Sequence, residues 1–133
     1  MAIHKFTRMM KNGHAIPFFG DGSTARDYTF IDDIINGIIG SIEVDDQFII
    51  YNLGNSEPVK LDELVQVIGE RLDVDPILDR QELPIGDAQQ TFADVSRAKS
   101  RLDYKPSISI EEGVGRFVDW YESMVTTHGE LFS

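Results

Sequence analysis

Gly20-Asp21-Gly22-Ser23-Thr24-Ala25-Arg26-Asp27-Tyr28-Thr29-Phe30-Ile31-Asp32-Asp33 packs a glycine turn, an arginine, a short aromatic run and two neighbouring carboxylates into one stretch. Glycine accepts backbone angles that other residues resist, so Gly20 and Gly22 predict a tight turn. Arg26 follows with a planar fork of N–H donors matched to phosphate or carboxylate. The stretch therefore reads as a turn that presents a cation to an anionic ligand. An ordinary surface turn with Arg26 ion-paired to a nearby aspartate accounts for the same residues, so the surrounding chain has to decide.

Arg26 to Ile31 has the aromatic and β-branched content of a short strand. Beyond it, Ile34, Ile35, Ile38, Ile39 and Ile42 recur at intervals of three and four. That period predicts a helix started by Asp32 or Asp33, with an apolar face that buries against a sheet. Gly37 and Gly40 weaken the helix and permit close packing. Successive helical residues point about 100° apart, so capping and alignment suit Asp32 and Asp33 better than an acid/base pair.

Upstream, Ile3, Phe6, Thr7 and Met10 share one face of an opening helix that Gly13 terminates. Pro17 disfavours helix, so Ala15 to Phe19 reads as an extended approach to the turn. Phe18 and Phe19 then point to opposite sides, one supporting the core and one bordering a planar ligand, with the choice left open. His4 and His14 have no metal-ligand companions at suitable spacing and read as packing or surface residues.

Downstream, Phe48 to Leu53 reads as a buried strand entering a Gly54-Asn55 turn. Asn52 falls near its C-terminal end, where ligand contacts collect in open α/β sheets; satisfying turn backbone is the alternative role. Leu61, Leu64, Val65, Ile68 and Leu72 mark a scaffold helix that Ser56 is placed to cap. Pro76 to Arg80 is extended, with Arg80 either a second anion contact or an ion-pair partner. Gln81 to Phe92 is a polar loop in which Asp87 either accepts a ligand hydroxyl or closes a local turn. Asp94 caps a short basic helix over residues 95–102, and Ser109 with Glu112 forms a capping box for the last helix. Ile110, Val114, Phe117, Val118 and Tyr121 trace that helix's inner face, with Trp120 over the seam. Residues 126–133 are expected to form a flexible tail after a domain spanning 1–125.

Helices interleaved with short strands place the chain in the α/β class. Its 133 residues, 41% apolar, suit one folded domain with one core. Twelve basic residues against 23 acidic ones give a net charge of −11, which opposes nonspecific attachment to nucleic acid or anionic membrane. With zero cysteines there is neither a disulfide framework nor a thiolate nucleophile. The first ten residues are too mixed for a signal peptide and no apolar run spans a bilayer, so a soluble cytoplasmic protein is expected.

Met1 to Phe6, Ile16 to Asp33, Tyr51 to Asn55, Pro84 to Asp87, Phe92 to Ala98 and Tyr104 to Pro106 together carry a resemblance that no single turn would. In that order they resemble the C-terminal part of extended short-chain dehydrogenase/reductase nucleotide-sugar epimerases, above all UDP-glucuronate 4-epimerases. The resemblance covers nearly the whole chain. It implies the substrate-binding portion of such an α/β enzyme, without its N-terminal Rossmann core. It also implies that Arg26 binds the nucleotide-sugar diphosphate. Phe18, Phe19 and Gly20 match the segment bordering the nucleobase, and Asp87 matches a loop near the diphosphate and sugar. With Asn52 from its strand-end position, these make up the expected substrate site. Related epimerases often carry an arginine shortly before the Gly-Asp pair, where this chain has Leu83-Pro84-Ile85-Gly86-Asp87.

The resembling enzymes bind NAD through a glycine-rich loop and use a tyrosine with a lysine four positions later to transfer hydride at C4 of the sugar. No Gly-x-x-Gly-x-x-Gly loop occurs here, and none of Tyr28, Tyr51, Tyr104 and Tyr121 is followed four positions later by lysine. The expectation is a fragment with no catalytic residue, no metal and no NAD of its own, inactive by itself. Its expected partners are a UDP-sugar and the N-terminal Rossmann portion, with a homo-oligomer left open. The competing readings are a noncatalytic nucleotide-sugar-binding module, a fragment of a related epimerase or dehydratase, and an interaction module using apolar faces left uncovered.

Overall fold

The computed structural model describes residues 2–45 and 48–132. The elements in chain order are α1 (Ala2–Lys11), β1 (Ile16–Phe19), β2 (Ala25–Arg26), α2 (Ile31–Glu43), β3 (Val59–Lys60), α3 (Leu61–Leu72), β4 (Leu78–Gln81), β5 (Gln90–Thr91), α4 (Ser96–Leu102) and α5 (Ile110–Phe132). The class is mixed α/β, with the strands in two small sheets. β1 runs parallel to β4, pairing Ile16 with Leu78 and Phe19 with Gln81. β2 lies between β3, antiparallel to it, and β5, parallel to it.

The main core lies where α1, α3 and α5 pack together over β1. Phe6 and Met10 from α1, Leu64, Val65 and Ile68 from α3, and Val114 and Val118 from α5 meet Ile16 and Phe18 there. This is the packing that the three-and-four spacing of these residues predicts. A smaller cluster of Val95, Ala98 and Tyr104 lies under Tyr51, Leu53, Ala93 and Leu102. The Ser109 hydroxyl accepts the Glu112 N–H at 3.3 Å, the capping bond expected at the start of α5. The Asp94 carboxylate likewise accepts the Ser96 N–H at 3.0 Å at the start of α4.

Several expectations are corrected by the fold. The strand expected over Arg26 to Ile31 is laddered only at Ala25–Arg26, because the chain beyond it is organised by the Asp27 side chain. α2 begins at Ile31, with Phe30 in the capping position and no side-chain cap. Asp33 is instead buried, and its two oxygens accept the N–H groups of Ser107 and Ile108 at 3.1 Å each, tying α2 to the approach to α5. Ser56 does not cap α3; it sits at φ 60 and donates its hydroxyl to the Ala93 carbonyl.

Two apolar stretches expected to be buried are exposed over much of their surface, the second at Phe48 and Ile50 while Tyr51 and Leu53 pack on the smaller core. The isoleucine face of α2 does not pack on a sheet, since the helix meets its neighbours through Gly37 and Gly40 instead. Phe48 to Leu53 forms no ladder; the Ile50 carbonyl is taken by the Arg97 guanidinium at 2.8 Å. Among the described residues no sheet includes this segment. At the C-terminus, α5 continues past residue 125 to Phe132, so no break in secondary structure separates 126–132 from what precedes it.

Candidate functional site

The site grows from the turn between β1 and β2. Gly20 and Gly22 sit at φ 61 and 87, in the left-handed region that favours glycine. A Cβ on Gly22 would run into the Phe18 ring and lie 3.0 Å from Asp62 Cβ, so space as well as backbone angle demands glycine there. Asp21 closes the turn by accepting the N–H and the hydroxyl of Ser23, at 2.9 and 2.5 Å. The Ser23 hydroxyl bond, and then the Ser23 N–H, hold the Asp21 carboxyl below its usual range. The Gly22 and Thr24 carbonyls accept N–H groups of Asp62 and Leu61, fixing the turn against the start of α3.

Arg26 ends β2 and reaches across to the loop between β4 and β5. Its Nη2 donates to Asp87 Oδ1 at 2.6 Å, and its Nη1 donates to the carbonyls of Ala88 at 2.8 Å and Ala25 at 2.9 Å. The Arg26 side chain is 30% exposed, so it lies partly at the surface. The loop is also tied down by the Ala25 N–H on the Gln89 carbonyl and by the Gln89 amide on the Ser23 hydroxyl, both at 2.9 Å. Burial raises the Tyr28 hydroxyl above its usual pKa, and the Arg26 charge partly opposes it.

Asp27 points the other way and serves the scaffold. Its carboxylate accepts the N–H groups of Asn55 at 3.1 Å, Ser56 at 3.0 Å and Ala93 at 3.0 Å. Two remote chain segments thereby converge on one side chain. Gly54 is required beside it, because a Cβ there would come within 2.7 Å of Asp27 Oδ2 and 2.6 Å of Ala93 Cβ. The Tyr104 hydroxyl donates to the Gly54 carbonyl at 3.0 Å from within the smaller core. No residue pattern singled Asp27 out; its place directly after a ladder residue, pointing to the opposite side, was the one available signal.

The six expected site residues fall into three groups. Arg26 and Asp87 meet directly, with Gly20 in the neighbouring turn, its N–H on the Gln81 carbonyl at 2.8 Å. Phe18 points into the main core under the Arg80 guanidinium, which sits 5.0 Å from its ring centre; Phe19, half-buried, takes the opposite side of β1. Arg80 thus stacks on a core aromatic. Asn52 belongs to a separate open cleft of about 550 Å³ lined by Asp27, Thr29, Asn52, Phe92 and Asp94 among others, and its amide donates to the Asp94 carbonyl at 3.3 Å.

A dinucleotide site needs a glycine turn between a strand and a helix, with backbone N–H groups aimed at a pyrophosphate. Here the left-handed glycines lie after α1 (Gly13), between β1 and β2 (Gly20, Gly22) and in the 84–87 turn (Gly86). Among the described residues none opens a helix, and the residues present do not fit NAD. No group of three or more metal-ligating side chains occurs among the described residues, and no helix there is long and apolar enough to cross a membrane.

The sequence pattern of the NAD dependent epimerase/dehydratase family matches residues 1–54. A UDP-glucuronate 4-epimerase from Thermodesulfobacterium geofontis is 38% identical over 122 residues, covering 90% of this chain and 37% of that enzyme. The chain resembles members of the NAD dependent epimerase/dehydratase family over most of its own length. An uncharacterized protein of Methanocaldococcus jannaschii, MJ1055, is 37% identical over 91% of the chain and 37% of its own length. In three dimensions the chain superposes on a UDP-glucuronic acid 4-epimerase from Bacillus cereus, solved with UDP-glucuronic acid and NAD. The TM-score is 0.85 with 27% identity, over 93% of this chain and 40% of that one. The chain thus spans well under half the length of the relatives it matches.

Proposed function

We propose that the chain is the nucleotide-sugar-binding portion of a UDP-sugar 4-epimerase, with UDP-glucuronate as its ligand. Arg26 holds the diphosphate, Asp87 and the 82–89 loop form one rim, and Phe19 with Gly20 borders the nucleobase. Oxidation and reduction at C4 by NAD belong to an N-terminal Rossmann portion, which this chain needs as a partner; residues 1–125 carry the binding and the chain alone is inactive. A cytoplasmic location is part of the reading and is tested by fractionation.

The observation that carries the reading is the guanidinium of Arg26. It stands at the end of β2, pinned by Asp87 and Ala88, on a side chain that is 30% exposed. A positioned, partly exposed guanidinium is suited to an oxyanion, and fixing it beforehand lowers the cost of binding one. Asn52 and Phe18 support the reading less, since one is bonded in a separate cleft and the other is packed in the core.

Calorimetric titration of the 133-residue chain with UDP-glucuronate tests it. Binding that weakens about tenfold or more in Arg26→Ala is the expected result, from loss of a charge-assisted contact. Binding that is undetectable, or indifferent to Arg26, rejects it. Formation of UDP-galacturonate by the chain with NAD would reject the inactivity of the isolated portion.

A further inference from the structure

Asn-Gly occurs twice in the chain, as Asn12-Gly13 and as Asn36-Gly37. Glycine is the residue that least obstructs attack of its own backbone nitrogen on the preceding asparagine side chain, having no Cβ and the widest choice of backbone angles. The two dipeptides are the same in sequence, and both asparagines are exposed. The fold treats their backbones differently.

Gly37 lies midway along α2 and is buried. A Cβ there would lie 2.6 Å from Leu53 Cδ2 and 3.1 Å from Tyr104 Cδ2. Bringing the Gly37 nitrogen onto the Asn36 carboxamide requires opening the middle of the helix and parting it from the smaller core. Asn12-Gly13 instead ends α1. Gly13 sits at φ 69, its N–H donates to the Met10 carbonyl at 3.0 Å, and the His14 N–H donates to the Met9 carbonyl at 2.8 Å. These are the two bonds that close a helix around a left-handed glycine. Residues 11–15 are all exposed, and a Cβ on Gly13 would meet nothing within 4 Å. Releasing the Gly13 N–H therefore needs only fraying of a solvated helix end, the least costly kind of local opening. A five-membered ring can form there without displacing a packed side chain.

We propose that Asn12 is a site of spontaneous deamidation and that α2 protects Asn36. The Gly13 nitrogen gives up its proton and attacks Asn12 Cγ. The N–Cγ bond forms, the Cγ–Nδ2 bond breaks, and Nδ2 leaves as ammonia with that proton. Water, the one co-reactant, opens the resulting succinimide at Cγ to give aspartate or at the Asn12 main-chain carbonyl to give isoaspartate; nothing is oxidised or reduced. Either product places a new carboxylate at the C-terminal end of α1, where the helix dipole disfavours negative charge. It lies next to Lys11, whose Nζ ties α1 to Glu122 of α5 at 2.6 Å. Isoaspartate also adds a carbon to the main chain between the Met9 and Met10 carbonyls and the Gly13 and His14 N–H groups, which puts the closing bonds out of register. The lesion falls just ahead of the fully buried Ile16 that opens β1.

The test is to hold the folded 133-residue chain in mildly alkaline buffer, digest samples under acidic conditions and map the peptides by mass spectrometry. Conversion appears as a gain of about 1 Da on the peptide carrying the modified asparagine. The expected rate at Asn12 exceeds that at Asn36 by about tenfold or more, a frayed end against a helix interior. In concentrated urea the two rates converge. Equal rates in the folded chain, or a faster Asn36, overturn the proposal. So does an unchanged Asn12 over times that convert the urea-unfolded chain. A difference that persists undiminished in urea overturns it as well, because neighbouring sequence and not the fold would then select the site.

Discussion

Arg26 Nη2 and Asp87 Oδ1 meet at 2.6 Å although 61 positions of chain separate them. The contact joins the end of β2 to the turn that closes over Gly86. Both side chains are partly exposed, so the ion pair is worth under about 1 kcal/mol of stability, and its larger consequence is to orient the guanidinium. Asp87→Ala should lower the urea midpoint only slightly, while limited proteolysis within residues 82–89 accelerates. A large loss of stability would show that the pair is a structural anchor.

Asp27 is expected to be the costlier aspartate. In Asp27→Ala the Ser56 and Ala93 N–H groups lose their acceptor and the Asn55 N–H keeps only Thr29 Oγ1, a change of about 3 kcal/mol. Asp27→Asn keeps one acceptor oxygen and should cost less. Urea denaturation of both, with the exposed Asp21→Ala as control, measures the order; equal effects at 21 and 27 would contradict it.

Gly22 and Gly86 share φ 87 and differ in surroundings. A Cβ at Gly86 meets nothing within 4 Å, whereas one at Gly22 meets the Phe18 ring and Asp62. Gly86→Ala should cost about 1 kcal/mol from backbone strain alone. Gly22→Ala adds overpacking of about 1–3 kcal/mol, since Phe18 is fixed in the core. Thermal denaturation of the pair separates the two contributions, and equal melting temperatures would rule out the steric one.

Tyr28 reports the charge at the site. Burial raises its hydroxyl pKa and Arg26 opposes the rise, so Arg26→Ala should move it further up. Because the folded pKa lies above the unfolded one, the stabilisation is fully present below the ordinary tyrosine value of about 10 and is lost as pH rises through the folded value. NMR titration of ring-labelled tyrosine, assigned with Tyr28→Phe, follows both. A downward move in Arg26→Ala would show that the guanidinium does not act on this hydroxyl.

Lys11 donates to Glu122 Oε1 at 2.6 Å, joining α1 to α5. That bond is the first cause of the lowered Glu122 pKa, followed by the Lys11 charge. The depressed value contributes stability above the ordinary glutamate range that is lost as pH falls through the folded pKa. Lys11→Met should therefore narrow the stability difference between neutral and acidic solution slightly, the pair being exposed. Melting temperatures of both proteins across that interval check the sign, and a widened difference would reverse it.

What the sequence by itself determined is local or periodic. The inner faces of α1, α3 and α5, the glycine turn at 20–22, the Ser109 and Asp94 caps and the place of Arg26 beside a turn all follow from residue spacing, backbone preference and capping chemistry over a few residues. Tertiary structure decided which apolar stretches are covered and which carboxylates are structural. The isoleucines of α2 and the residues from Phe48 to Leu53 have the pattern of buried elements, but burial depends on a second surface that spacing within one element does not specify. Asp27 carries no pattern of its own and Asp33 reads as a helix start, because their carboxylates' partners are N–H groups 28 to 75 positions away, brought within 3.1 Å only by the fold.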